Sequence, residues 1–395
     1  MRSRDAEGPS TRSVHAGRVR DPESGSITTP IHLSSTYFAR STQELTDYLE
    51  GRRSANFYAR YSNPTVEAAE QKIADLEGGE RALCFGSGMA AISTLLLSQL
   101  GQGDHVVATR ELYGGTFEFL ERVLPRWGIT TTFVPPADPK ALEAALGPTT
   151  KVIYTETPTN PKLTVVDLGA VAEIARKARI TCVIDNTFAS PINQRPLGFG
   201  FDFVVHSATK YLGGHCDLVG GVVVGARDRM KDVWYHRKLL GGILDPHSAY
   251  LLERGTKTLA LRIARHNENG LAVASHLAEH PRVRRVYYPG LAGHPGHEIA
   301  KRQMSGFGGV LAFEVDAGRE ETARVVEALE LAYLAPSLGG VETLVSQPAM
   351  TSHYFLAPEE RAAQGISDSL VRVALGIEDA ADLVRDLDRA LETLP

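Results

Sequence analysis

The sequence predicts an α/β fold, in which a mostly parallel sheet is flanked by helices and followed by a smaller C-terminal α/β domain. From about residue 65, short apolar segments rich in β-branched residues alternate with amphipathic helical segments. Strands that are apolar along their whole length are typical of a parallel sheet covered by helices on both faces. With 395 residues, the chain is also longer than one ordinary core requires. We therefore expect an N-terminal arm over 1–60 that contacts a neighbouring subunit, a larger domain over 61–255 and a smaller one over 256–395.

The elements of the larger domain follow from these patterns in chain order. A first helix is expected over 64–78, because Pro64 suits the first turn and Gly78 suits the end. Further helices are expected at 89–101, 115–128 and 165–179. Strands are expected at RALCF, HVVATR, ITTTFV, KVIYTE, TCVID, FDFVVHS and LVGGVVVG.

The arm and the smaller domain show weaker hydrophobic periodicity than the larger domain. Residues 1–60 show no sustained period, so we expect an irregular segment that wraps over the body or over a partner subunit. After residue 225 the pattern is mainly helical as far as residue 280. The remaining elements are strands near RVRRVYYP, GGVLAFEV and DSLVRVALG and helices near 319–329 and 379–392.

Composition restricts the classes of partner. The chain is 43% hydrophobic and 23% charged, with a formal net charge of -5. Such a balance is that of a globular protein and gives no general attraction to nucleic acid or to an anionic membrane. No apolar run approaches the roughly 18 residues of a membrane span, and the N-terminus lacks a signal-peptide core. We therefore expect a cytoplasmic protein whose partner is a small polar or anionic molecule, held by local positive groups.

Polar residues follow four of the expected strands at the point where each strand ends. RALCF is followed by GSGMAA, KVIYTE by TPTNP, TCVID by NTFASP and FDFVVHS by ATK. In open parallel sheets, ligands bind beyond the carboxyl ends of the strands. The rim that these four ends share is therefore the expected site, and FDFVVHSATK brings Lys210 to it.

The segment GSGMAA fits the pattern G-x-G-x-x-A between a strand and a helix, which is typical of dinucleotide binding. That interpretation also requires an acidic residue at the end of the next strand, whereas HVVATR ends in Arg110. A NAD-dependent oxidoreductase thus stays an alternative. Under either interpretation a phosphate binds the free N–H groups of a helix N-terminus, with Gly88 and Met89 as donors.

A lysine and an aspartate at neighbouring strand ends narrow the choice of cofactor. Pyridoxal 5'-phosphate (PLP) needs a lysine amine for its Schiff base and a carboxylate that keeps its ring nitrogen protonated. Lys210 suits the first task, and Asp185, which ends TCVID, suits the second. Ser207 and Thr209, beside Lys210, suit the phosphate. Once a substrate amine has displaced Lys210, the freed amine is the nearest base for the substrate α-proton.

The sequence as a whole resembles the fold-type I PLP-dependent enzymes of trans-sulfuration: cystathionine γ-synthases, cystathionine γ-lyases, methionine γ-lyases and O-acylhomoserine sulfhydrylases. The shared segments run in the family's order along nearly the whole chain. They are TRSVHAG, PIHLSSTY, YARYSNPT, FGSGMAA, ELYGGT, ETPTNP, DNTFASP, HSATKYLGGH, YPGL, GFGG, APSLGGVETLVSQPA and LVRVALGIED. The resemblance implies a PLP-dependent transferase fold of type I and an enzyme of trans-sulfuration.

The resemblance also implies roles for four residues around the cofactor. Tyr113 in ELYGGT is similar to the ring that stacks on the cofactor and assists proton transfer. Asn160 in ETPTNP is similar to the residue that binds the cofactor's phenolic oxygen. Tyr58 and Arg60 in YARYSNPT are similar to a pair that reaches the phosphate bound by the neighbouring subunit. Such a site needs at least a dimer, and the family implies a homotetramer built as a dimer of dimers.

Two further residues are implied for the substrate, which the resemblance identifies as a small sulfur amino acid. Arg372 in LVRVALG is similar to the residue whose guanidinium clamps the substrate α-carboxylate in bidentate fashion. Ser337 in APSLGG is similar to the residue that positions Lys210 and that carboxylate. Each of three site residues also has a purely structural interpretation. Lys210 could be a solvated loop lysine, Asp185 could cap a turn, and Arg372 could belong to a buried ion pair.

The resemblance leaves the reaction open between γ-elimination and γ-replacement, because both proceed from one vinylglycine-type intermediate. Methionine γ-lyases carry cysteine where this chain has Gly115, and many cystathionine enzymes have an acidic residue where Pro336 stands. APSLGGVETLVSQPA is similar to plant-type γ-synthases and also to bacterial γ-lyases. We expect a C–S γ-lyase that acts on cystathionine, methionine or homocysteine-like amino acids and releases 2-oxobutyrate, ammonia and a thiol. The alternatives are a cystathionine γ-synthase and an O-acylhomoserine sulfhydrylase.

Other classes of function fit the sequence less well. An aminotransferase would share Lys210 and Asp185, but the SATKYLGGH and SLGG segments argue against it. A noncatalytic PLP-binding protein would lose Lys210 or Arg372, and both are present. These two classes stay as alternatives to the lyase.

Four residues around Lys210 are of types that ligate zinc. They are His206, His215, Cys216 and Asp217. Their spacing matches no zinc-finger or zinc-protease pattern, and Lys210 lies between them. We therefore expect no metal site.

Overall fold

In the computed structural model, a seven-stranded sheet occupies the middle of the chain and a five-stranded sheet follows it. The structure describes residues 7–17, 25–50, 52, 56–351, 354, 359, 361 and 365–394. The strands of the first sheet are β1 (Arg81–Phe85), β2 (His105–Thr109), β3 (Thr130–Val134), β4 (Thr150–Glu156), β5 (Thr181–Asp185), β6 (Phe203–Ser207) and β7 (Gly221–Gly225).

The first sheet is mostly parallel, as the sequence predicted. Its strands lie in the order β1-β7-β6-β5-β4-β2-β3, and only β7 runs antiparallel to its neighbours. Gly221 of β7 pairs with Phe85 of β1 and with Ser207 of β6. The carboxyl ends of β1 and β6 therefore lie at the same edge of the sheet, which is the rim expected to hold the site.

Helices surround both sheets. In chain order they are α1 (Pro9–His15), α2 (Thr42–Leu49), α3 (Pro64–Glu77), α4 (Gly88–Gln99), α5 (Gly114–Glu118), α6 (Pro139–Ala144), α7 (Leu168–Ala178), α8 (Ser190–Asn193), α9 (Met230–Leu240), α10 (Pro246–Thr256), α11 (Leu259–Glu279), α12 (His297–Gln303), α13 (Arg319–Ala328) and α14 (Ala380–Leu391). As predicted, α3 has Pro64 in its first turn and ends at Gly78, whose φ of 78° is left-handed. Among the described residues, no helix is both long and apolar enough to cross a membrane.

Both faces of the first sheet are buried, which explains why its strands are apolar throughout. Ile184 and Val204 belong to one core cluster, while Val183 and Val205 belong to another. Successive residues of a strand point to opposite faces, so each strand contributes to both clusters. The helices α3, α7, α10 and α11 supply the first cluster, and α4 and α9 supply the second.

The structure corrects the expected helix over 115–128. The α-helix α5 ends at Glu118, a π-helical turn follows over Phe119–Val123, and a 3₁₀ turn covers Leu124–Trp127. Pro125 lies in this last turn. Because proline has no N–H group and its ring clashes with the preceding turn, a regular α-helix cannot continue through it.

The N-terminal arm is also more regular than expected, since it contains α1 and α2. The Ser41 side chain accepts a hydrogen bond from the Glu44 N–H group, a capping pattern visible in the sequence as SxxE. α1 packs on the body of its own chain, because the Lys72 amine donates to the carbonyls of Ser13 and Val14. Contact of the arm with a neighbouring subunit stays a prediction.

The second sheet has the strand order β10-β11-β12-β9-β8. Its strands are β8 (Val283–Tyr287), β9 (Val310–Val315), β10 (Tyr333–Leu334), β11 (Leu344–Ser346) and β12 (Leu370–Ala374). β8, β9 and β12 were predicted, whereas β10 and β11 have only two and three residues and are too short to show a period. The domain division at residue 255 stays a prediction; it falls near the end of α10.

Candidate active site

Several predicted site residues meet at the carboxyl edge of the first sheet. Asp185 ends β5 and Ser207 ends β6, and these two strands are neighbours. α4 begins at Gly88, just after β1. A Cβ atom added to Gly88 would lie 3.2 Å from the Ser207 Cβ atom, so the turn after β1 closely approaches the end of β6. The strand ends thus form one rim, as the sequence predicted.

Lys210 lies in the turn after β6 and is partly buried. Its Nζ atom donates a hydrogen bond to the Ser337 Oγ atom at 2.6 Å. Burial, and then the nearby Arg372 guanidinium, lower the pKa of the Lys210 amine below its usual value. A lowered pKa increases the fraction of neutral amine, the form that reacts with an aldehyde and accepts a proton. Lys210 is therefore not a freely solvated loop charge.

Arg372, on β12, borders the site from the second sheet. Its Nη1 atom donates to Asn160 Oδ1 and its Nη2 atom donates to the Ser337 carbonyl, both at 2.9 Å. Its Nε atom is buried without a hydrogen-bond partner, and no described carboxylate forms an ion pair with the guanidinium. Burial lowers the pKa of Arg372 to about 10, so the side chain is still a cation at neutral pH. A buried cation without a counter-charge favours a bound anion, which suits a substrate carboxylate.

Ser337 connects these two cationic side chains. Its hydroxyl accepts from Lys210, and its carbonyl accepts from Arg372. Its φ of 109° is rare for a residue other than glycine and costs backbone free energy. Backbone strain of this kind persists where the surroundings hold the residue in place, and it agrees with the predicted positioning role.

Asp185 is buried beside the end of β6. Its Oδ1 atom accepts from the Thr187 N–H group at 3.0 Å and from the Thr187 hydroxyl at 2.5 Å, and no described residue bonds to Oδ2. Thr187 Oγ1 in turn accepts from the Ser207 N–H group at 2.8 Å. Burial raises the pKa of Asp185, while the Thr187 bonds and His206 oppose that rise. The sequence analysis missed Thr187, although a hydrogen-bonding residue two positions after an aspartate is a recognised turn pattern.

The expected phosphate donors surround the N-terminus of α4. The Ser87 side chain accepts from the Ala90 N–H group at 3.0 Å and so caps the helix. The first N–H groups of a helix, here those of Gly88 and Met89, have no partner within the helix. Thr209 lies opposite Gly220 and accepts its N–H group at 3.0 Å. The phosphate role of these residues stays a prediction.

Tyr113 lies at the solvent side of the rim, with 52% of its surface exposed. Its N–H group donates at 2.8 Å to Oε2 of Glu156, the last residue of β4. Glu156 is buried and stands opposite Asp185 in the register of β4 and β5. The sequence analysis did not single out Glu156, although it ends KVIYTE just as Asp185 ends TCVID.

Tyr58 and Arg60 lie away from this rim in their own chain. The Arg60 guanidinium donates to the Lys238 carbonyl and lies 5.4 Å from the Tyr58 ring centre and 5.1 Å from that of Tyr61. In the described part of the chain, neither residue has a hydrogen bond or ring contact with Gly88, Ser207 or Thr209. This placement leaves their predicted action in a neighbouring subunit as a proposal.

The four residues of zinc-binding type do not form a cluster with a further ligand. The buried His206 lies with Nε2 at 2.5 Å from Glu77 Oε1, whereas His215 bonds the Gly213 carbonyl. Cys216 is exposed. No group of three or more potential metal ligands occurs among the residues that the structure describes.

Comparison with known proteins decides the family. Residues 10–392 match the family described as "Cys/Met metabolism PLP-dependent enzyme". The chain belongs to this family. It is 45% identical over 385 residues to a cystathionine gamma-synthase of Mycobacterium tuberculosis and 43% identical over 385 residues to a cystathionine gamma-lyase of Bacillus subtilis. These alignments cover 97% of this chain and 97% and 99% of the two relatives.

A solved structure agrees with the assignment to the PLP-dependent family. The crystal structure of metB from Corynebacterium glutamicum superimposes with a TM-score of 0.93 and 41% sequence identity, covering 99% of both chains. The predicted fold class and family are therefore confirmed. The alternative of a NAD-dependent oxidoreductase is wrong, because the family to which the chain belongs depends on PLP.

The residues at the rim fit PLP, the cofactor of this family. Lys210 offers an amine of lowered pKa, and Asp185 has one carboxylate oxygen that no described residue uses. At Gly88 a larger side chain would crowd Ser207, so glycine allows the backbone to approach a phosphate closely. Lys210, Asp185, Gly88 and Ser207 would hold the cofactor, which supplies an electron sink for amino-acid chemistry.

Proposed function

We propose that this enzyme is a C–S γ-lyase that acts on cystathionine, methionine or homocysteine-like amino acids and releases 2-oxobutyrate, ammonia and a thiol. The series of hydrogen bonds from Lys210 through Ser337 to Arg372 carries the proposal. An amino acid whose carboxylate binds Arg372 has its α-carbon near Lys210, because one residue joins both groups. The arrangement therefore suits removal of an α-proton.

Each of these side chains has a defined task in the proposed reaction. Arg372 orients the substrate carboxylate, and Asp185 would keep the ring nitrogen of the bound cofactor protonated. Lys210 accepts the α-proton at Nζ, and the Ser337 hydroxyl directs that amine. Lys210 and the Tyr113 hydroxyl are proposed to move the second proton, from Cβ, so that the sulfur on Cγ can leave.

The cleft beside Ser337 is suited to a substrate with a polar far end. It is an open cleft of about 920 Å³, and its lining includes the apolar residues Leu334, Ala335 and Pro336. Two carboxylates, Asp217 and Glu342, also line it. Apolar walls suit a thioether, and the carboxylates suit the distal ammonium group of cystathionine. We therefore propose cystathionine as the preferred substrate.

γ-Replacement is the second candidate, and one observation favours it. Relatives of nearly equal identity carry the names cystathionine gamma-synthase and cystathionine gamma-lyase. The same side chains serve both reactions as far as departure of the γ-substituent. The outcome then depends on whether a thiol adds at Cγ or the intermediate is hydrolysed. An O-acylhomoserine would be the substrate in that case.

Product analysis tests the two candidates. Purified enzyme is incubated with cystathionine alone, with methionine alone, and with an O-acylhomoserine in the presence and absence of cysteine. Mass spectrometry identifies every product. Formation of 2-oxobutyrate and cysteine from cystathionine supports the γ-lyase. Cystathionine accumulating from an acylhomoserine and cysteine, with no breakdown of cystathionine, contradicts it and supports the synthase.

Two other outcomes would also contradict the γ-lyase. Pyruvate and homocysteine from cystathionine would show cleavage of the C–S bond on the β side. A 2-oxo acid that retains the sulfur would show transamination. Because cystathionine has two different C–S bonds, the identity of the oxo acid separates these reactions without a further experiment.

We also propose that the active site is completed by a second subunit, with Tyr58 and Arg60 reaching the phosphate of their neighbour. Arg60 contacts the Lys238 carbonyl of α9 instead of the rim of its own chain, and this placement supports the proposal. A dimer is the minimum assembly that satisfies it, and a dimer of dimers extends it.

A further inference from the structure

Two carboxylates, Glu156 and Asp185, end neighbouring strands of the first sheet at the same level. β4 and β5 are parallel, and these two residues are register partners, so their side chains point to the same face. Glu156 is 3% exposed and Asp185 is 6% exposed. Two carboxylates buried side by side repel each other when both are ionised, and one of them then retains its proton.

The surroundings favour the charge on Asp185. Two hydrogen bonds from Thr187 go to its Oδ1 atom, and His206 acts on it from β6. Hydrogen bonds donated to the ionised form lower the pKa of a carboxyl group. A protonated ring nitrogen of the cofactor, the proposed partner of Asp185, would lower it further.

The surroundings of Glu156 favour the neutral acid. Its Oε2 atom accepts from the Tyr113 N–H group at 2.8 Å, while its Oε1 atom is buried without a hydrogen-bond partner. Burial, and then the neighbouring Asp185 and Glu111 carboxylates, raise the pKa of Glu156 well above its usual range, although the N–H groups of Tyr113 and Asn160 oppose that rise. The remaining titratable neighbour on its own strand is Tyr154, whose hydroxyl is also buried. The groups that act on Glu156 thus include two carboxylates and no cation.

We propose that Glu156 is a positioning residue that stays protonated, holds the Tyr113 backbone through Oε2, and leaves Asp185 as the single negative charge beside the cofactor ring. Through Asp185, Glu156 acts on the ring nitrogen of the cofactor. Through the Tyr113 backbone, it acts on the Tyr113 ring, which is expected to cover the cofactor. The inference rests on the proposed role of Asp185 and extends it to a residue that touches neither cofactor nor substrate.

A neutral residue of the same shape should replace Glu156, whereas a truncated one should not. In Glu156→Gln, the amide oxygen can still accept from Tyr113, and no charge is lost if the acid is neutral. In Glu156→Ala, the Tyr113 N–H group loses its acceptor. We expect PLP to bind the Gln variant within about twofold of wild type and the Ala variant about tenfold more weakly, because one hydrogen bond at a buried position is lost. PLP affinity is measured by titrating the apoprotein and following tryptophan fluorescence.

Infrared spectroscopy tests the protonation state directly, on protein with and without PLP. Labelling glutamate carboxyl groups with ¹³C shifts their C=O band away from that of unlabelled aspartates. The labelled protein should show this shifted band of a protonated carboxylic acid at neutral pH. The intensity of that band should fall in Glu156→Gln. Glu67→Gln is the matched control: burial raises the pKa of Glu67 to about 7, so its partly protonated carboxyl contributes to the same band, and the intensity that remains in this variant belongs to Glu156.

Two results would overturn the proposal: a band equally intense in wild type and Glu156→Gln, with and without PLP, or Glu156→Gln binding PLP as weakly as Glu156→Ala, since that would require a negative charge at Glu156. If Glu156→Ala does not fold, the Gln variant and the infrared band still decide. Failure of the γ-lyase assay with these results intact would contradict the proposed reaction alone.

Discussion

The Lys210 amine lies 2.6 Å from the Ser337 hydroxyl, and this contact joins the two sheets at the active site. Lys210 follows β6 of the first sheet, while Ser337 follows β10 of the second. Because the Ser337 carbonyl also accepts from Arg372, the base and the carboxylate-binding group share one support. The effects on Lys210 and on Arg372 can therefore be measured separately, by removing either the Ser337 hydroxyl or the Arg372 guanidinium.

Removal of the Ser337 hydroxyl should slow the proton transfers without weakening substrate binding. In Ser337→Ala, Lys210 loses its hydrogen-bond acceptor, whereas the backbone carbonyl still holds Arg372. We expect kcat to fall about tenfold with little change in KM, measured from initial rates of 2-oxobutyrate formation.

Ser337→Gly is the matched control for backbone strain. Glycine tolerates the φ of 109° that serine and alanine do not favour, so this variant should be at least as stable as wild type. It should nevertheless be as slow as Ser337→Ala, because it also lacks the hydroxyl. A glycine variant with wild-type kcat would show that the hydroxyl does not direct Lys210.

Replacement of Arg372 should act mainly on substrate affinity. Arg372→Leu removes the buried cation that is proposed to bind the α-carboxylate, and we expect KM to rise about 100-fold. Arg372→Lys keeps the charge but loses the bidentate geometry, so its KM should lie between those of wild type and Arg372→Leu. Binding of an amine analogue that lacks the α-carboxylate serves as the control and should change little. An equal loss for that analogue would indicate a structural role of Arg372.

The strand ends show what could be predicted from the sequence and why. Asp185, Ser207 and Gly88 were placed at one rim because the carboxyl ends of parallel strands share an edge, and the register bears this out. Glu156 ends the neighbouring strand and obeys the same rule. Its importance depends on burial and on a carboxylate partner, and neither is visible in a one-dimensional pattern.

Contacts between the two sheets were beyond prediction from local pattern. Arg372 bonds Asn160 across 212 positions of sequence, and only the packing of β12 against the turn after β4 brings them together. Resemblance to a family suggested the role of each residue but not this bond between them. In contrast, the capping pattern of Ser41 and Glu44 and the break at Pro125 were readable from sequence. The lack of a sustained period over 1–60 concealed the first, and the helical pattern over 115–128 concealed the second.

The reactivity of Lys210 should depend on Arg372 in a defined direction. Burial is the larger cause of the lowered Lys210 pKa, and the Arg372 cation is the second. Arg372→Leu should therefore raise that pKa, so that the neutral amine appears only at higher pH. The rate at which an amine-reactive reagent labels Lys210 in the apoprotein, followed by peptide mass spectrometry across pH, should shift to higher pH. Arg302→Leu, a change at an exposed residue that pairs with Asp167, is the control and should cause no shift.

Complementation between two inactive variants tests whether each active site uses two chains. Lys210→Ala should lack the base, and Arg60→Ala should lack the group proposed to reach the neighbour's phosphate, so each homo-oligomer should be nearly inactive. In a mixed dimer, the subunit with Arg60→Ala keeps its own Lys210 and receives Arg60 from the partner. Random mixing makes half of the dimers mixed, each with one complete site, so activity should recover to roughly a quarter of wild type.

The recovery must depend on exchange of subunits, which provides the control. The two variants are unfolded and refolded together in one sample and refolded separately, then combined, in the other. Only the co-refolded sample should show a quarter of wild-type activity at once. The sample refolded separately should approach that activity at the rate at which subunits exchange. If Arg60 acts within its own chain, every site in a mixed dimer lacks either Lys210 or Arg60. Co-refolded samples without any gain over the separate variants would then assign Arg60 to its own subunit and leave the observed packing on α9 as its role.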